Sequence, residues 1–265
     1  LMKNLLRSAR AKGVDIICDA RALNVIKDGE MVVGVAARID MQVRYFKARG
    51  GVVLTSGGFI MNREMVADYA PRLARGNYPN GNPNDTGDGI RMGLDAGGVG
   101  VNMDEGFICT PFYPPKQFVE SIIVDETGNR FINEDVYHGR LGAFVVRQQS
   151  ERVYFILSVE QYGDYERVSY MGSGVAGTGE TVQELEEELE LREGTLQQTI
   201  KVYNEDCVSG KDTQCHKAAE WLEPLVPPLV ALDITPGRGS FLPFFTLGGL
   251  DTLPTGEVVD PQRDV

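Results

Sequence analysis

The sequence predicts an α+β chain in which a run of strands precedes a longer region of mixed helices and strands. Three observations point there. A helical repeat near the start gives way to period-two apolar runs, those runs are joined by a tight hairpin turn, and beyond residue 60 helices with marked starts alternate with loops and short strands. Residues 2–13 read as a helix, with Leu5, Leu6 and Ala9 at helical spacing and Gly13 as its stop. Residues 14–18 form a strand-like apolar run, and 22–26, 31–37 and 43–47 predict three more strands. Asp28-Gly29 is the hairpin dipeptide, because Gly tolerates the positive φ of a tight turn. Residues 51–55 predict a last short buried strand that runs into Ser56-Gly57-Gly58-Phe59.

Residues 62–69 predict a helix that stops before Pro71. The segment 75–85 holds four Asn, two Pro and two Gly and must be a loop. Thr86-Gly87-Asp88-Gly89 then opens a helix over 90–96, closed by Gly97-Gly98. From about 105 to 180 short strands and turns are mixed with one amphipathic stretch, 141–148. Thr181-x-x-Glu184 and Thr195-x-x-Gln198 each fit a capping box. Leu185 and Leu189 lie four apart, and the glutamates at 184, 186, 187, 188 and 190 read as a solvated helix face.

Composition removes several function classes. The 265 residues carry 26 Lys+Arg against 38 Asp+Glu, a net charge of −12 with pI near 4.7. That balance argues against nucleic acid and anionic membrane surfaces as partners. No stretch approaches the roughly 20 apolar residues of a membrane span. Four cysteines without CxxC spacing and only two His argue against a metal site and suit free thiols in a reducing cytoplasm. The start has no apolar signal core, and Leu1 precedes the first Met, so the expectation is a cytoplasmic polypeptide cut from something longer.

Two segments could carry chemistry. A strand ending in Thr55-Ser56-Gly57-Gly58 lets backbone approach a bulky ligand, and Thr86-Gly87-Asp88-Gly89 places unpaired N–H groups and a positive dipole end at a helix start. Alone, the first also reads as an ordinary strand-to-loop turn and the second as an ordinary N-cap. Together with Arg130-Phe131-Ile132-Asn133-Glu134-Asp135 and Thr246-Leu247-Gly248-Gly249-Leu250, they make the chain resemble the fumarate reductase/succinate dehydrogenase flavoprotein superfamily, which includes the 3-ketosteroid dehydrogenases. The resemblance runs from about Leu5 to Val259 and implies FAD as cofactor, with Thr55, Ser56, Gly57, Gly58, Thr86, Gly87, Asp88, Gly89 and Gly249 on the cofactor side. It implies part of an FAD-binding domain at 1–60, a substrate-facing cap domain at 61–240 and a return segment at 241–265. The family's GxGxxG turn and its C-terminal flavin segment have no counterpart here, so weak FAD binding by this polypeptide alone is the expectation.

The resemblance also narrows the substrate. Where dicarboxylate members have His before the Gly-Gly turn and a His-Pro-Thr segment, this chain has Phe245 and Cys109-Thr110-Pro111-Phe112. Asn133-Glu134-Asp135-Val136-Tyr137-His138-Gly139-Arg140 instead resembles the 3-ketosteroid-Δ4-(5α)-dehydrogenase branch. By that resemblance Tyr137 and Thr246 form a proton relay, and Tyr113, Phe244, Phe245 and Gly248 border the substrate, with Phe244 standing where the branch has a second Tyr. The implied reaction moves hydride between an apolar ketone or enone and flavin N5, with a possible electron-transfer partner. A non-catalytic ligand- or partner-binding chain and a dicarboxylate oxidoreductase are the competing readings. Tyr137 also reads as a core tyrosine, Thr246 as a turn cap, His138 as a surface residue and Arg140 as an ion-pair partner of Glu134 or Asp135.

Overall fold

The computed structural model describes residues 1–109, 116–147, 150–168, 173–238 and 242–265. Their contacts group into two compact units, one of 1–57, 87–101 and 249–265, the other of 58–86 and 102–248. This grouping puts 87–101 with the first unit and 241–248 with the second. Helices and strands are mixed throughout, as an α+β chain requires.

In the first unit the helix Met2–Ala11 leads to an antiparallel sheet of Arg21–Asp28, Met31–Ile39 and Gln42–Lys47, with Met31–Ile39 in the middle. The Asp28-Gly29 hairpin forms with Gly29 at φ 61°. Ala36, Ala37 and Ile39 are its buried side chains. The helix Asp88–Asp95 is held at both ends by this sheet's cations. Arg21 pairs with Asp88 at 3.1 Å, and Lys27 Nζ donates to the Ala96 carbonyl at 2.7 Å, where the negative dipole end favours a cation. Gly100–Val101 and Gly249–Leu250 add a short antiparallel pair.

Two expected strands do not form. Residues 14–18 and 51–55 have no ladder partner among the described residues, and Val53 is 84% exposed. Apolar β-branched composition alone does not make a strand when its N–H and C=O groups have no neighbour to bond.

The second unit is organised by a four-stranded antiparallel sheet in the order Ile122–Asp125, Val153–Ser158, Leu229–Asp233, Val175–Gly179. Alternation of side chains divides two cores between its faces. Ile123, Phe155, Leu157, Val230 and Leu232 pack with Phe118, Leu141 and Val145 on one side. Ile122, Val124, Tyr154, Ile156 and Ala231 pack with Leu185, Leu196, Ile200 and Tyr203 on the other. Helices cover both faces: His138–Arg147 lies on the first, Val182–Glu188 and Thr195–Ser209 on the second. The helices Lys116–Glu120 and Val159–Val168 are not among those expected from the sequence.

The capping boxes divide. Thr181 Oγ1 accepts from the Glu184 N–H at 3.1 Å, and Glu184 reaches back to the Glu180 N–H at 2.9 Å. The second box does not form: Gly194 is the N-cap, and Thr195 donates its hydroxyl to the Arg192 carbonyl. Glu186 does the capping instead, accepting from the Gly194, Leu196 and Gln197 N–H groups and from the Gln197 amide. Burial opposes its charge, yet these donors hold its carboxyl below the usual range. Glu186 is therefore buried, and the solvated-face reading fails for this one glutamate.

Where the segment 130–135 meets the long helix, four charges are buried together. Arg130 binds Glu134 at 2.8 Å and Asp212 at 2.9 Å, and Lys217 binds Glu134 at 2.9 Å, with no exposed side-chain surface in any of the four. Both cations also lie 4.9 Å from the centre of the Tyr203 ring. Glu134 accepts from the Ile123 N–H, and Asp212 from the Gln214, Cys215 and Lys217 N–H groups. Burial pushes Asp212 up, but the Arg130 hydrogen bond and the backbone donors outweigh it and bring its pKa to about 2. Burial lowers Lys217 and pushes the Cys215 thiol up to about 11.

Two outcomes follow from this cluster. Replacing Arg130 by Met leaves two buried carboxylates facing one ammonium and should cost about 3–5 kcal/mol in urea unfolding followed through Trp221, the one tryptophan. Because the folded-state pKa of Asp212 lies below its ordinary 3.8, the stability it contributes is complete above that value and is lost as pH falls toward 2. The native protein should lose roughly 2 kcal/mol across that window through this group, and Asp212→Asn should flatten that part of the stability–pH curve while lowering stability at neutral pH.

Candidate functional site

The second unit holds both expected relay residues, Thr246 on a strand and Tyr137 just before a helix. Strand Pro243–Thr246 pairs antiparallel with Gly106–Ile108 in the register Phe244↔Ile108, Phe245↔Phe107 and Thr246↔Gly106. Alternation turns Phe244 and Phe245 to opposite faces. Phe244 is buried at 6% exposure, its ring in the space a Cβ on Gly76 would need. Phe245 stacks on Phe107 with centroids 5.0 Å apart and planes 18° from parallel.

Phe107 also meets the start of the helix His138–Arg147. Its centroid lies 6.0 Å from Tyr137 and 5.9 Å from His138, the latter edge-on, and Tyr137 and His138 are 4.4 Å apart. The result is an aromatic wall of Phe245, Phe107, Tyr137 and His138 in which Tyr137 is 63% exposed. Tyr137 is thus not a core tyrosine, and its carbonyl accepts the Arg140 and Leu141 N–H groups at the helix start.

Thr246 lies at the end of the same strand. Its Oγ1 accepts the Phe59 N–H at 3.3 Å, and a Cβ on Gly58 would stand 2.7 Å from that oxygen. Gly58 thus makes room for the Thr246 hydroxyl. Gly248 has a packing requirement of its own: a Cβ there would lie 2.5 Å from both the Asn102 carbonyl oxygen and the Met103 Cα. Tyr113 lies outside the described residues. Arg140 is not the ion-pair partner of Glu134 or Asp135. Its guanidinium lies 5.7 Å from the Phe144 ring, Glu134 belongs to the buried cluster, and Asp135 accepts from Asn133 and the Ala218 N–H.

The first unit assembles most of the other motif. Gly87 is the N-cap of the helix Asp88–Asp95, at φ 76° and with no side-chain cap, and a Cβ on Gly89 would collide with Ser56 Oγ. The Thr55–Gly57 segment and the helix start are therefore in contact through Ser56, with Gly57 at φ 80° and Thr55 and Ser56 exposed. Gly249 pairs with Val101 and has open space where a Cβ would be. Thr86 belongs to the second unit, where its carbonyl accepts from Asn62 Nδ2 at 2.9 Å.

Sequence reasoning missed two parts of this arrangement. Phe107 belongs to none of the motifs, although Gly139, two residues after Tyr137, makes room for its ring. The roles of Asp212 and Lys217 left no local signal, because their partners lie some 80 residues away.

The model of the family described as FAD binding domain matches residues 1–264. A probable fumarate reductase of Shewanella frigidimarina is 26% identical over 99% of this chain and 45% of its own length. The 3-oxosteroid 1-dehydrogenase of Mycolicibacterium smegmatis is 26% identical over 78% of this chain and 42% of its own. Among solved structures, the 3-ketosteroid-Δ4-(5α)-dehydrogenase of Rhodococcus jostii, in complex with 4-androstene-3,17-dione, matches 99% of this chain and 54% of its own with a TM-score of 0.90 at 31% identity. The chain thus spans about half the length of these relatives. No helix among the described residues is long and apolar enough to cross a membrane. With residues 1–264 matched by the family model, the chain belongs to the FAD binding domain family, whose cofactor is FAD.

Proposed function

We propose that this chain supplies the substrate-facing part of an FAD-dependent oxidoreductase acting on an apolar ketone or enone of ketosteroid type, with Tyr137 and Thr246 as its proton relay. The carrying observation is the aromatic wall of Phe245, Phe107, Tyr137 and His138, with Thr246 next to Phe245 on the same strand. Flat aromatic surface suits a flat apolar ring system. A dicarboxylate needs cations, and the neighbouring Arg140 and Arg147 are occupied by the Phe144 ring and by Glu105 at 3.7 Å.

The first unit's glycines fit FAD, since bare backbone at Gly57, Gly87 and Gly249 and an uncapped helix start are what a phosphate-bearing ligand approaches. When bound, FAD supplies the two-electron acceptor chemistry. Phe245 and Phe107 hold the substrate's ring and exclude water from it. Thr246, whose oxygen already accepts the Phe59 N–H, is held in one orientation and passes the proton of the carbon beside the carbonyl to Tyr137, which opens to solvent at its exposed face. Segments 1–60 and 241–265 belong in this reading to the FAD side and 61–240 to the cap, with Tyr113, Phe244 and Gly248 bordering the substrate. A cytoplasmic location and an electron-transfer partner complete the proposal. A dicarboxylate reductase is the second reading, favoured by the fumarate reductases among the relatives.

Activity of the FAD-loaded protein decides between them. Oxidation or reduction of a 3-ketosteroid supports the proposal, and turnover of fumarate with reduced viologen but not of steroid would replace it. Tyr137→Phe should lower kcat by about 10²–10⁴-fold, Thr246→Ala should do the same, and the double variant should be little worse than either. If Tyr137→Phe keeps kcat and raises KM, the tyrosine binds substrate and moves no proton. Gly58→Ala should reproduce part of the Thr246→Ala loss, because the added methyl displaces the hydroxyl from its place; unchanged kcat in that variant would show that the hydroxyl's position is immaterial.

A further inference from the structure

We infer that Phe107 is the positioning residue of this site: its ring, seated in the space left open by Gly139, fixes the orientation of both Tyr137 and Phe245. The inference rests on the reading of Tyr137 and Phe245 given above and gives Phe107 a role beyond bordering the substrate.

Phe107 is the one ring that touches all the others of the wall. It is the cross-strand partner of Phe245 and stacks on it nearly parallel, at 5.0 Å. It approaches Tyr137 with the planes 59° apart and His138 at 83°, so one ring presents its face to the strand and its edge to the helix start. Stacked and edge-on arrangements are ones that aromatic quadrupoles favour. Tyr137 itself is mostly exposed, and its described ring contacts are with Phe107 and His138. An exposed phenol without such a neighbour samples its rotamers freely. With Phe107 beside it, one rotamer is selected before substrate arrives, which is what a relay group needs.

Gly139 gives the arrangement its second support. A Cβ there would collide with Phe107 Cε2 and lie 2.7 Å from Cζ and 2.9 Å from Cδ2. Residue 139 stands in the first turn of the helix His138–Arg147, where Ala would be the better helix former. A glycine in that place lets the ring sit directly on the helix backbone, two residues from the phenol that it orients.

The test is a fluorine spectrum. With 3-fluorotyrosine installed at position 137 of the full chain, the ¹⁹F resonance should be displaced from that of a solvent-exposed fluorotyrosine by the neighbouring rings. Phe107→Tyr should keep that displacement, and Phe107→Leu should lose it with far-UV circular dichroism unchanged. Gly139→Ala should lose it as well, by moving the ring rather than removing it. If the displacement survives in both Phe107→Leu and Gly139→Ala, Phe107 does not position Tyr137 and the inference falls. Addition of 4-androstene-3,17-dione then separates the two claims: a steroid-free spectrum that depends on Phe107 while steroid changes nothing upholds the positioning role and removes the substrate reading alone.

Discussion

The buried cluster of Arg130, Glu134, Asp212 and Lys217 is the constraint on which the second unit depends. Two cations and two carboxylates are taken entirely out of water, at a desolvation cost of several kcal/mol per ion. The cost is offset only because every member is paired and the backbone adds donors to both carboxylates. Charge is balanced, the tyrosine ring between the cations accepts both, and removal of any one member leaves another uncompensated. The cluster joins three distant pieces of chain: the 130–135 segment, the long helix through Tyr203, and the 212–217 loop. Two residues beyond Asp135 stands Tyr137, so the exposed end of this segment is anchored by its buried end.

A second constraint is subtractive. Around the candidate site, close packing is set by missing β-carbons: Gly58 admits the Thr246 hydroxyl, Gly139 admits the Phe107 ring, and Gly248 lets the turn pass over the Asn102 carbonyl. At Gly58 and Gly139 a group that matters to the proposed chemistry occupies the volume that a side chain would take, and at Gly248 neighbouring backbone does. In the proposed reading, substrate recognition and helix or turn geometry are thereby coupled, since the same backbone position serves both. The Phe244–Phe245 pair shows the division of labour along one strand, with one ring closing the core and the next facing the wall.

Much of this was legible in the sequence because it is local. The hairpin at Asp28-Gly29, the Asn62 and Thr181 caps and the helix opened by Gly87-Asp88 are each written within four residues. The failures share a cause. Residues 14–18 and 51–55 have strand composition but no partner strand among the described residues, and partnership is not a local property. Glu186 lay in an acidic run that reads as solvated, yet a helix start eight residues on takes it inside. Of the candidate site, Tyr137, Thr246 and Phe245 come from the resemblance of their motifs to those of the family. Phe107 could not be ranked above other aromatics without the ladder that sets it opposite Phe245, nor could Lys217 be linked to Glu134 across 83 residues.

In the proposed function, the wall around Phe107 and Phe245 receives a flat apolar ketone. Equilibrium dialysis of labelled 4-androstene-3,17-dione against the full chain tests this most directly, because it asks for binding without asking for turnover. The account predicts saturable binding to one site per chain, displaced by other 3-ketosteroids, untouched by excess fumarate and weakened in Phe245→Ala. Absence of saturable steroid binding, or displacement of the steroid by fumarate, would contradict it.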